Sequence, residues 1–294
     1  MDKDEILQII GSINSPIGIG GYDSDEFDSD CEIYNVLVFD GKNTHDEIIQ
    51  HNSKTIKISH KNLSENNSET LISFSNVQLI HDEQWDLKML LSKIQEKKDI
   101  LFSASAKNTL VESQLALSKA KNSLEQDDSF ASCWIKCATL SLIDSILLQN
   151  QQLPTPTQAL SSLRNIKEKN TNQFADKIIS ETGTERATPS LLRRMLKSTI
   201  GFSDMIEQNQ NSIIIEKKAN HLIQNSLLSD CYLYLCYCNR KNFFRIKNSL
   251  NKNSDKIHVL KTAFDLTGSS SDLSNSIESL MKIVNTILNQ AGRS

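Results

Sequence analysis

A short segment near the amino terminus, residues 19–39, holds the side chains whose types and spacing fit chemistry best. Gly20 and Gly21 follow an apolar residue, and Asp30 and Glu32 come two positions apart before an apolar run. Two glycines let the backbone approach a phosphate closely and offer its N–H groups. If Asp30 and Glu32 lie on one strand, both carboxylates point to one face, and a cation such as Mg²⁺ relieves their repulsion. We therefore expect a metal and phosphate site formed by these four residues.

The same residues resemble the signature of the nucleotidyltransferase superfamily, the polymerase-β-like fold. That signature is an apolar residue, Gly and Gly or Ser, a spacer, and then Asp-apolar-Asp/Glu-apolar on a strand. Here it corresponds to Ile19-Gly20-Gly21 and Asp30-Cys31-Glu32-Ile33. The resemblance covers residues 1–95. It implies that Asp30 and Glu32 are catalytic carboxylates that hold Mg²⁺ on a nucleoside triphosphate, while Gly20 and Gly21 cradle its phosphates.

The resemblance also implies a reaction. A hydroxyl of the acceptor attacks the α-phosphorus and pyrophosphate leaves, with metal ions stabilising the attacking and leaving oxygens. The acceptor in known members is a small molecule, an RNA end or a protein side chain. Family enzymes use a third carboxylate on a later strand, which residues 55–60 do not supply. In place of an acid this segment offers Lys57, Ser59 and His60.

Two functions from different classes are therefore open. One is a Mg²⁺-dependent nucleotidyltransferase that moves a nucleotide from a triphosphate to a hydroxyl. The other is a catalytically degenerate member that serves as a binding or regulatory module. A third interpretation of the motif is an acidic turn that enters a strand. An EF-hand beginning at Asp23 is excluded, because its sixth and twelfth positions are Asp28 and Tyr34 instead of Gly and Glu.

The elements around the motif favour a small mixed sheet. Residues 2–14 have helical spacing of isoleucines, and residues 31–39 are the clearest strand, rich in β-branched and aromatic residues. Shorter strands are predicted at residues 17–19, 55–60 and 77–81, with a polar loop at residues 62–69. The sequence predicts an α+β protein whose first domain, residues 1–95, is nucleotidyltransferase-like.

Helical periodicity begins near Gln84 and continues to the end of the chain. Residues 130–148 are apolar on nearly every side, which predicts a central buried helix. Thr155-Pro156 and Thr188-Pro189 each predict a helix start, with the threonine as cap and the proline in the first position. We expect an all-helical domain over residues 96–294, with a sub-boundary near residues 151–157 or 182–189.

Composition is that of an ordinary globular protein, with 38% hydrophobic and 23% charged residues among 294. The first 50 residues hold twelve acidic and two basic side chains, whereas the remainder holds 24 acidic and 30 basic. The amino terminus lacks the pattern of a signal peptide, and no apolar run reaches the ~20 residues that cross a bilayer. We expect a cytoplasmic protein with no membrane partner.

Two further groups of residues are candidate sites. The six cysteines lack the spacing of a zinc site or a disulfide framework, which favours buried thiols. Basic residues in the carboxyl-terminal half, with Phe243 and Phe244 among them, suggest a nucleic-acid surface, although helix-surface charge is the commoner explanation. These basic residues are Arg193, Arg194, Lys197, Lys217, Lys218, Arg240, Lys241, Arg245 and Lys247.

Overall fold

The computed structural model describes residues 3–11, 14–21, 30–166, 169–206, 211–248 and 254–291. The chain forms two compact units, Met1–Ala104 (the sheet unit) and Ser105–Ser294 (the helical unit). The division between them lies within a long helix, Lys98–Glu125. A mixed sheet in the first unit and helices in the second confirm the predicted α+β class.

The sheet unit contains five strands in the order β3-β4-β2-β1-β5. Strands β2 and β4 are parallel, and the other neighbouring pairs are antiparallel. The predicted mixed sheet is therefore confirmed, and the strand after the Gly-Gly pair lies at its centre. The strands are β1 Ile17–Ile19, β2 Ile33–Val38, β3 Glu47–His51, β4 Lys54–His60 and β5 Gln78–His81. The helices of this unit are α1 Lys3–Ile10, α2 Ser68–Ser73 and α3 Asp86–Glu96.

Both faces of β2 are covered, which explains the apolar run from Val36 to Phe39. Val36 and Val38 point to one face, where they pack in a cluster with Ile6 of α1. Leu37 and Phe39 point to the other face and pack in a cluster with Phe74. Alternation of these side chains fixes the register of β2, because a slip by one residue would exchange the two faces.

Two elements of the sheet unit were not predicted. Strand β3 lies at the sheet edge and has an exposed sequence without clear alternation. Helix α2 begins at the end of the predicted loop, residues 62–69, and continues beyond it to Ser73. Its cap is Asn67, whose side-chain oxygen accepts hydrogen bonds from the backbone N–H groups of Glu69 and Thr70. The cap compensates for a helix too short to form without external contacts.

Helix α4 (Lys98–Glu125) begins in the sheet unit and continues into the helical unit. Helix α5 (Ala131–Gln149) is buried over almost all of its length, which confirms the predicted central helix. By length and composition it is the one helix of the described residues that could cross a membrane, but 94% of its apolar window is buried within the protein. The other helices are α6 Ala159–Arg164, α7 Lys169–Thr182, α8 Pro189–Ile206, α9 Asn211–Gln224, α10 Leu228–Ile246, α11 Ile257–Ala263 and α12 Ser270–Ala291.

One of the two predicted Thr-Pro helix starts is confirmed. Helix α8 begins at Pro189, and the backbone N–H of Leu191 donates to the hydroxyl of Thr188. The prediction at Thr155-Pro156 is wrong, because residues 156–158 form a turn and α6 begins only at Ala159. The same dipeptide thus caps a helix in one place and precedes a turn in the other.

Placing a charge inside α5 tests whether this helix is central. Leu142 is fully buried, so Leu142→Asp should lower the free energy of unfolding by several kcal/mol, on the order of the whole stability of the unit. Leu115→Asp on α4 is the control, since that leucine is 58% exposed and should cost less than about 0.5 kcal/mol. Urea unfolding followed by circular dichroism measures both. Equal stability of Leu142→Asp and wild type would show that α5 is not central.

Candidate functional site

The Gly-Gly pair directly follows β1 and lies against the segment that precedes β5. Both residues have positive φ, +127° at Gly20 and +104° at Gly21. A Cβ atom on Gly20 would lie 2.8 Å from the carbonyl oxygen of Asn76, so only glycine fits there. The N–H of Gly20 donates to the Asn35 carbonyl oxygen at 2.9 Å. The N–H of Gly21 donates to Oδ1 of Asn76 at 3.0 Å, and Nδ2 of Asn76 donates back to the Gly21 carbonyl oxygen.

These contacts bear on the predicted phosphate cradle. A cradle needs backbone N–H groups that point outward to the ligand. Both N–H groups of the Gly-Gly pair are instead engaged within the sheet unit. The glycines are therefore explained by close packing and by the backbone conformation, and the role of Gly20 and Gly21 in phosphate binding stays a prediction.

The two predicted metal ligands are exposed and precede the strand on which they were expected. Strand β2 begins at Ile33, and Glu32 has φ of 52° in a turn, so the strand placement of Asp30 and Glu32 was wrong. Oε1 of Glu32 accepts a hydrogen bond from the Ser53 hydroxyl at 3.0 Å. Because strand alternation ends before these residues, it does not direct both carboxylates to one face. Their binding of Mg²⁺ stays a prediction.

The residues that the structure describes do not supply a Mg²⁺ site around this pair. They contain no group of three or more His, Cys, Asp or Glu side chains that could hold a metal ion. The acidic segment with Asp23, Asp25 and Asp28 lies outside the described residues. Among the described residues, Asp30 and Glu32 therefore have no third side chain of these types placed to share a metal ion with them.

A lysine lies on β4, the strand next to β2, where the family resemblance implies a third carboxylate. In the parallel pairing of β2 and β4, Asn35 is opposite Lys57, whose side chain is 11% exposed. Nζ of Lys57 lies 3.1 Å from Oδ2 of Asp46, just before β3. Partial burial alone would raise the pKa of Asp46, but the charge of Lys57 and a hydrogen bond from Ser59 hold that pKa below its usual value. This part of the sheet carries an ion pair in place of a free carboxylate.

A histidine and an aspartate meet where the two parallel strands end. Nδ1 of His60 lies 3.0 and 2.9 Å from the two carboxylate oxygens of Asp40. Burial opposes ionisation of Asp40, but the backbone N–H of Lys42 and the His60 ring together lower its pKa below the usual value. Sequence reasoning found no partner for His60. Asp40 follows β2 and His60 is the last residue of β4, so the pair forms because these two strands are parallel neighbours.

The helical unit contains a second polar group, formed by Lys136, Arg186, Tyr232 and Asp265 (the Lys136 cluster). Nζ of Lys136 donates to the Thr182 carbonyl oxygen and to the Tyr232 hydroxyl. Arg186 donates to Asp265 at 2.8 Å and to the Tyr232 hydroxyl at 3.1 Å, and that hydroxyl donates to Asp265 at 2.9 Å. Burial lowers the pKa of Lys136. The cluster ties α5 to α10 and to the segment after α7.

The Lys136 cluster borders a cavity of about 270 Å³ in the helical unit. Lys136 and Arg186 both line it, with Gly183 and Gly268 among the backbone walls. A neighbouring cavity of about 420 Å³ shares the wall Leu266 to Gly268. Sequence reasoning missed this site, although Lys136 is a lysine in an otherwise apolar helix. A lysine at such a position must find hydrogen-bond acceptors inside the fold or face a cavity, and this requirement marks it as a candidate site residue.

Part of the predicted basic surface belongs to the core. Arg240 pairs with Asp144 of α5 at 2.7 Å, and Tyr237 donates to the same carboxylate at 2.6 Å. Burial raises the pKa of Asp144 even so. Phe243 is fully buried, and Lys218 is also buried. These side chains therefore cannot form the aromatic and basic surface considered for nucleic acid. Five of the six cysteines are buried and all six are free thiols, as predicted.

No family model matches this chain, and no curated protein matches it. Among solved structures, the chain is similar to a nucleotidyltransferase-like protein from Exiguobacterium sibiricum 255-15. The two are 11% identical, with a TM-score of 0.32, over 76% of this chain and 91% of that one. At this identity and TM-score the similarity does not establish a shared fold.

The Asp40–His60 pair predicts a pH dependence of the sheet unit. The pKa of Asp40 is lowered on folding, so its contribution to stability is present above the unfolded aspartate pKa of about 3.9 and is lost as pH falls through the lower folded value. Asp40→Asn should therefore lose less stability than wild type between pH 7 and about pH 3.

Trp85 gives a probe for the sheet unit once Trp134 of the helical unit is replaced by phenylalanine. Urea unfolding followed by Trp85 fluorescence at each pH measures the effect in this background. Glu83→Gln is the control, because Glu83 is an exposed carboxylate of the same unit. Identical acid dependence of Asp40→Asn and the parent would show that the pair does not stabilise the fold.

Proposed function

We propose that this protein is a catalytically inactive binding or regulatory module whose sheet unit resembles a nucleotidyltransferase domain. The resemblance rests on the order of the elements along the chain, which is a helix, a short strand, a Gly-Gly pair and a central strand in a small mixed sheet. The inactivity rests on one observation above all, which is that the N–H groups of Gly20 and Gly21 are both bonded within the protein.

Those hydrogen bonds compete with a phosphate. Binding a triphosphate at the Gly-Gly pair would require the N–H of Gly20 to leave Asn35 and that of Gly21 to leave Asn76. Each such bond contributes about 0.5–1.5 kcal/mol to stability, and a buried group left unpaired costs more. The side chain of Asn76 also donates a hydrogen bond to the Gly21 carbonyl oxygen. Release of the Gly21 N–H would therefore disturb both hydrogen bonds between Gly21 and Asn76. The sheet unit is thus stabilised in a form that does not present the amides.

The charges around the central strand also disfavour catalysis. Lys57, opposite Asn35, places a positive charge where the sequence pattern calls for a metal-binding acid. A cation beside a Mg²⁺ site raises the free energy of the bound metal, and more so where burial reduces the dielectric. Asp46 already forms an ion pair with Lys57. Transfer of a nucleotide to a hydroxyl of a small molecule, an RNA or a protein therefore lacks a complete metal site on the described residues.

The proposed module acts in the cytoplasm and binds no membrane. The support for this is that the apolar length of α5 is accounted for by packing inside the helical unit. The alternative, an active nucleotidyltransferase, predicts that the protein binds Mg²⁺ and a triphosphate. Such binding can be measured without knowing the acceptor.

Thermal melting with Mg²⁺ and each nucleoside triphosphate tests the proposal, because a ligand that binds the folded state must raise its melting temperature. We expect Mg²⁺ with a triphosphate to raise the melting temperature of wild type no more than that of the double variant Asp30→Asn with Glu32→Gln. Glu83→Gln is the matched control, an exposed acid elsewhere on the sheet unit.

Pyrophosphate release, assayed with the same proteins, gives the second readout. We expect equal background in wild type and in the double variant. A Mg²⁺-dependent shift and pyrophosphate release that appear in wild type and in Glu83→Gln, but not in the double variant, would contradict the proposal. That result would establish Asp30 and Glu32 as catalytic metal ligands.

A further inference from the structure

The cavity beside the Lys136 cluster is a site that the sheet unit does not account for. It lies wholly among residues of the helical unit. Its volume of about 270 Å³ falls just below the roughly 300–1,000 Å³ of pockets that hold drug-sized ligands. The space fits a small metabolite better than a nucleotide. It is bordered by side chains of both signs, which restricts the chemistry of an occupant.

The most deeply buried charged side chain of the cavity lining is positive. Lys136 is 9% exposed, and the two acceptors of its ammonium group are neutral oxygens, the carbonyl of Thr182 and the hydroxyl of Tyr232. Within the described part of the chain, no carboxylate lies at ion-pair distance from its Nζ. Asp265 is paired with Arg186, and the charges of Asp265 and Glu185 reach Lys136 only at longer range. A buried ammonium without an anionic partner is unfavourable, and a carboxylate in the cavity would complete its hydrogen bonds.

The cavity lining also carries two carboxylates. Glu181 is partly exposed and Asp272 is exposed, and both line the same cavity. Asp272 caps α12 through Ser269, whereas Glu181 makes no ion pair among the described residues. A polyanion such as a triphosphate would meet repulsion from these carboxylates. A ligand with a single anionic group and a nearby amine would instead satisfy both ends.

We propose that this cavity binds a small zwitterion of the amino-acid type, with its carboxylate on Lys136 and Arg186 and its ammonium toward Glu181. The charged groups hold the two ends, and the hydroxyl-rich wall from Ser132, Ser180 and Thr267 supplies further hydrogen-bond partners. The site belongs to the helical unit, so it does not depend on whether Asp30 and Glu32 are catalytic. For the binding module proposed above, this zwitterion would be the ligand.

Thermal melting of the full-length protein tests the site with defined probes at millimolar concentration. The probes are individual L-α-amino acids, the ω-amino acids β-alanine and 4-aminobutyrate, and three single-charge compounds, which are acetate, inorganic phosphate and ethylamine. We expect at least one amino acid to raise the melting temperature more than any single-charge compound. Isothermal titration with that amino acid then gives the affinity of each variant.

Two variants remove the two ends of the site. Lys136→Met keeps the aliphatic stem and removes the ammonium, and Glu181→Gln removes the charge from the partly exposed wall. Each should weaken binding about tenfold or more, since a hydrogen bond to a charged group is worth at least that factor. Lys218→Met is the matched control, because Lys218 is also a buried lysine of the helical unit but lines neither cavity, and its affinity should equal that of wild type.

Several results would overturn the proposal. One is that no amino acid raises the melting temperature. Another is that phosphate, acetate or ethylamine alone matches the best amino acid, which would make the cavity a simple ion site. A third is that Lys218→Met weakens binding as much as Lys136→Met. If Lys136→Met fails to fold, the result with Glu181→Gln decides, because that side chain is partly exposed and its loss leaves the core intact.

Discussion

The sheet unit depends on a close approach of two backbone segments that only glycine permits. Gly20 lies so near the carbonyl oxygen of Asn76 that any side chain would collide with it, and Gly21 exchanges two hydrogen bonds with the Asn76 side chain. This contact holds the end of β1 between β2 and the segment that leads into β5. The same atoms that close the sheet are those a phosphate would need. In the function that we propose, the Gly-Gly pair therefore serves the structure of the sheet unit and not phosphate binding.

The helical unit depends on a different constraint, the burial of two charged side chains within the apolar helix α5. Asp144 is paired with Arg240 and Tyr237, which joins α5 to α10. Lys136 is bonded to neutral oxygens only, which leaves its charge without a direct anionic partner among the described residues. Breaking a buried pair is strongly destabilising, whereas an unbalanced buried charge favours a ligand that compensates it. The first site stabilises the packing, and the second is where we place binding.

Much of the architecture could be predicted from the sequence, because it follows from local patterns. The apolar run of β2 and the uniform apolarity of α5 identify elements that are covered on all sides. Strand β3 and helix α2 could not be predicted in this way, since one is an exposed edge and the other depends on a single Asn67 cap.

The candidate site was harder to predict, because spacing along the chain does not fix geometry. Asp30 and Glu32 would share a face only if the strand had begun two or three residues earlier than Ile33. The positive φ of Glu32 ends the extended conformation before it reaches them. The pairs Asp46–Lys57 and Asp40–His60 arise from strand pairing between distant segments. Such pairs become visible only when the order of the strands is known.

Amide hydrogen exchange at single-residue resolution tests the central claim most directly. If the Gly-Gly pair is part of the closed sheet, the amide of Gly21 should exchange about as slowly as that of Val36, because Gly21 donates to Asn76 and Val36 lies within the parallel pairing of β2 with β4. Addition of Mg²⁺ with ATP should leave that rate unchanged. Fast exchange of Gly21 in the free protein, slowed by Mg²⁺ with ATP, would show an open phosphate cradle and contradict the account.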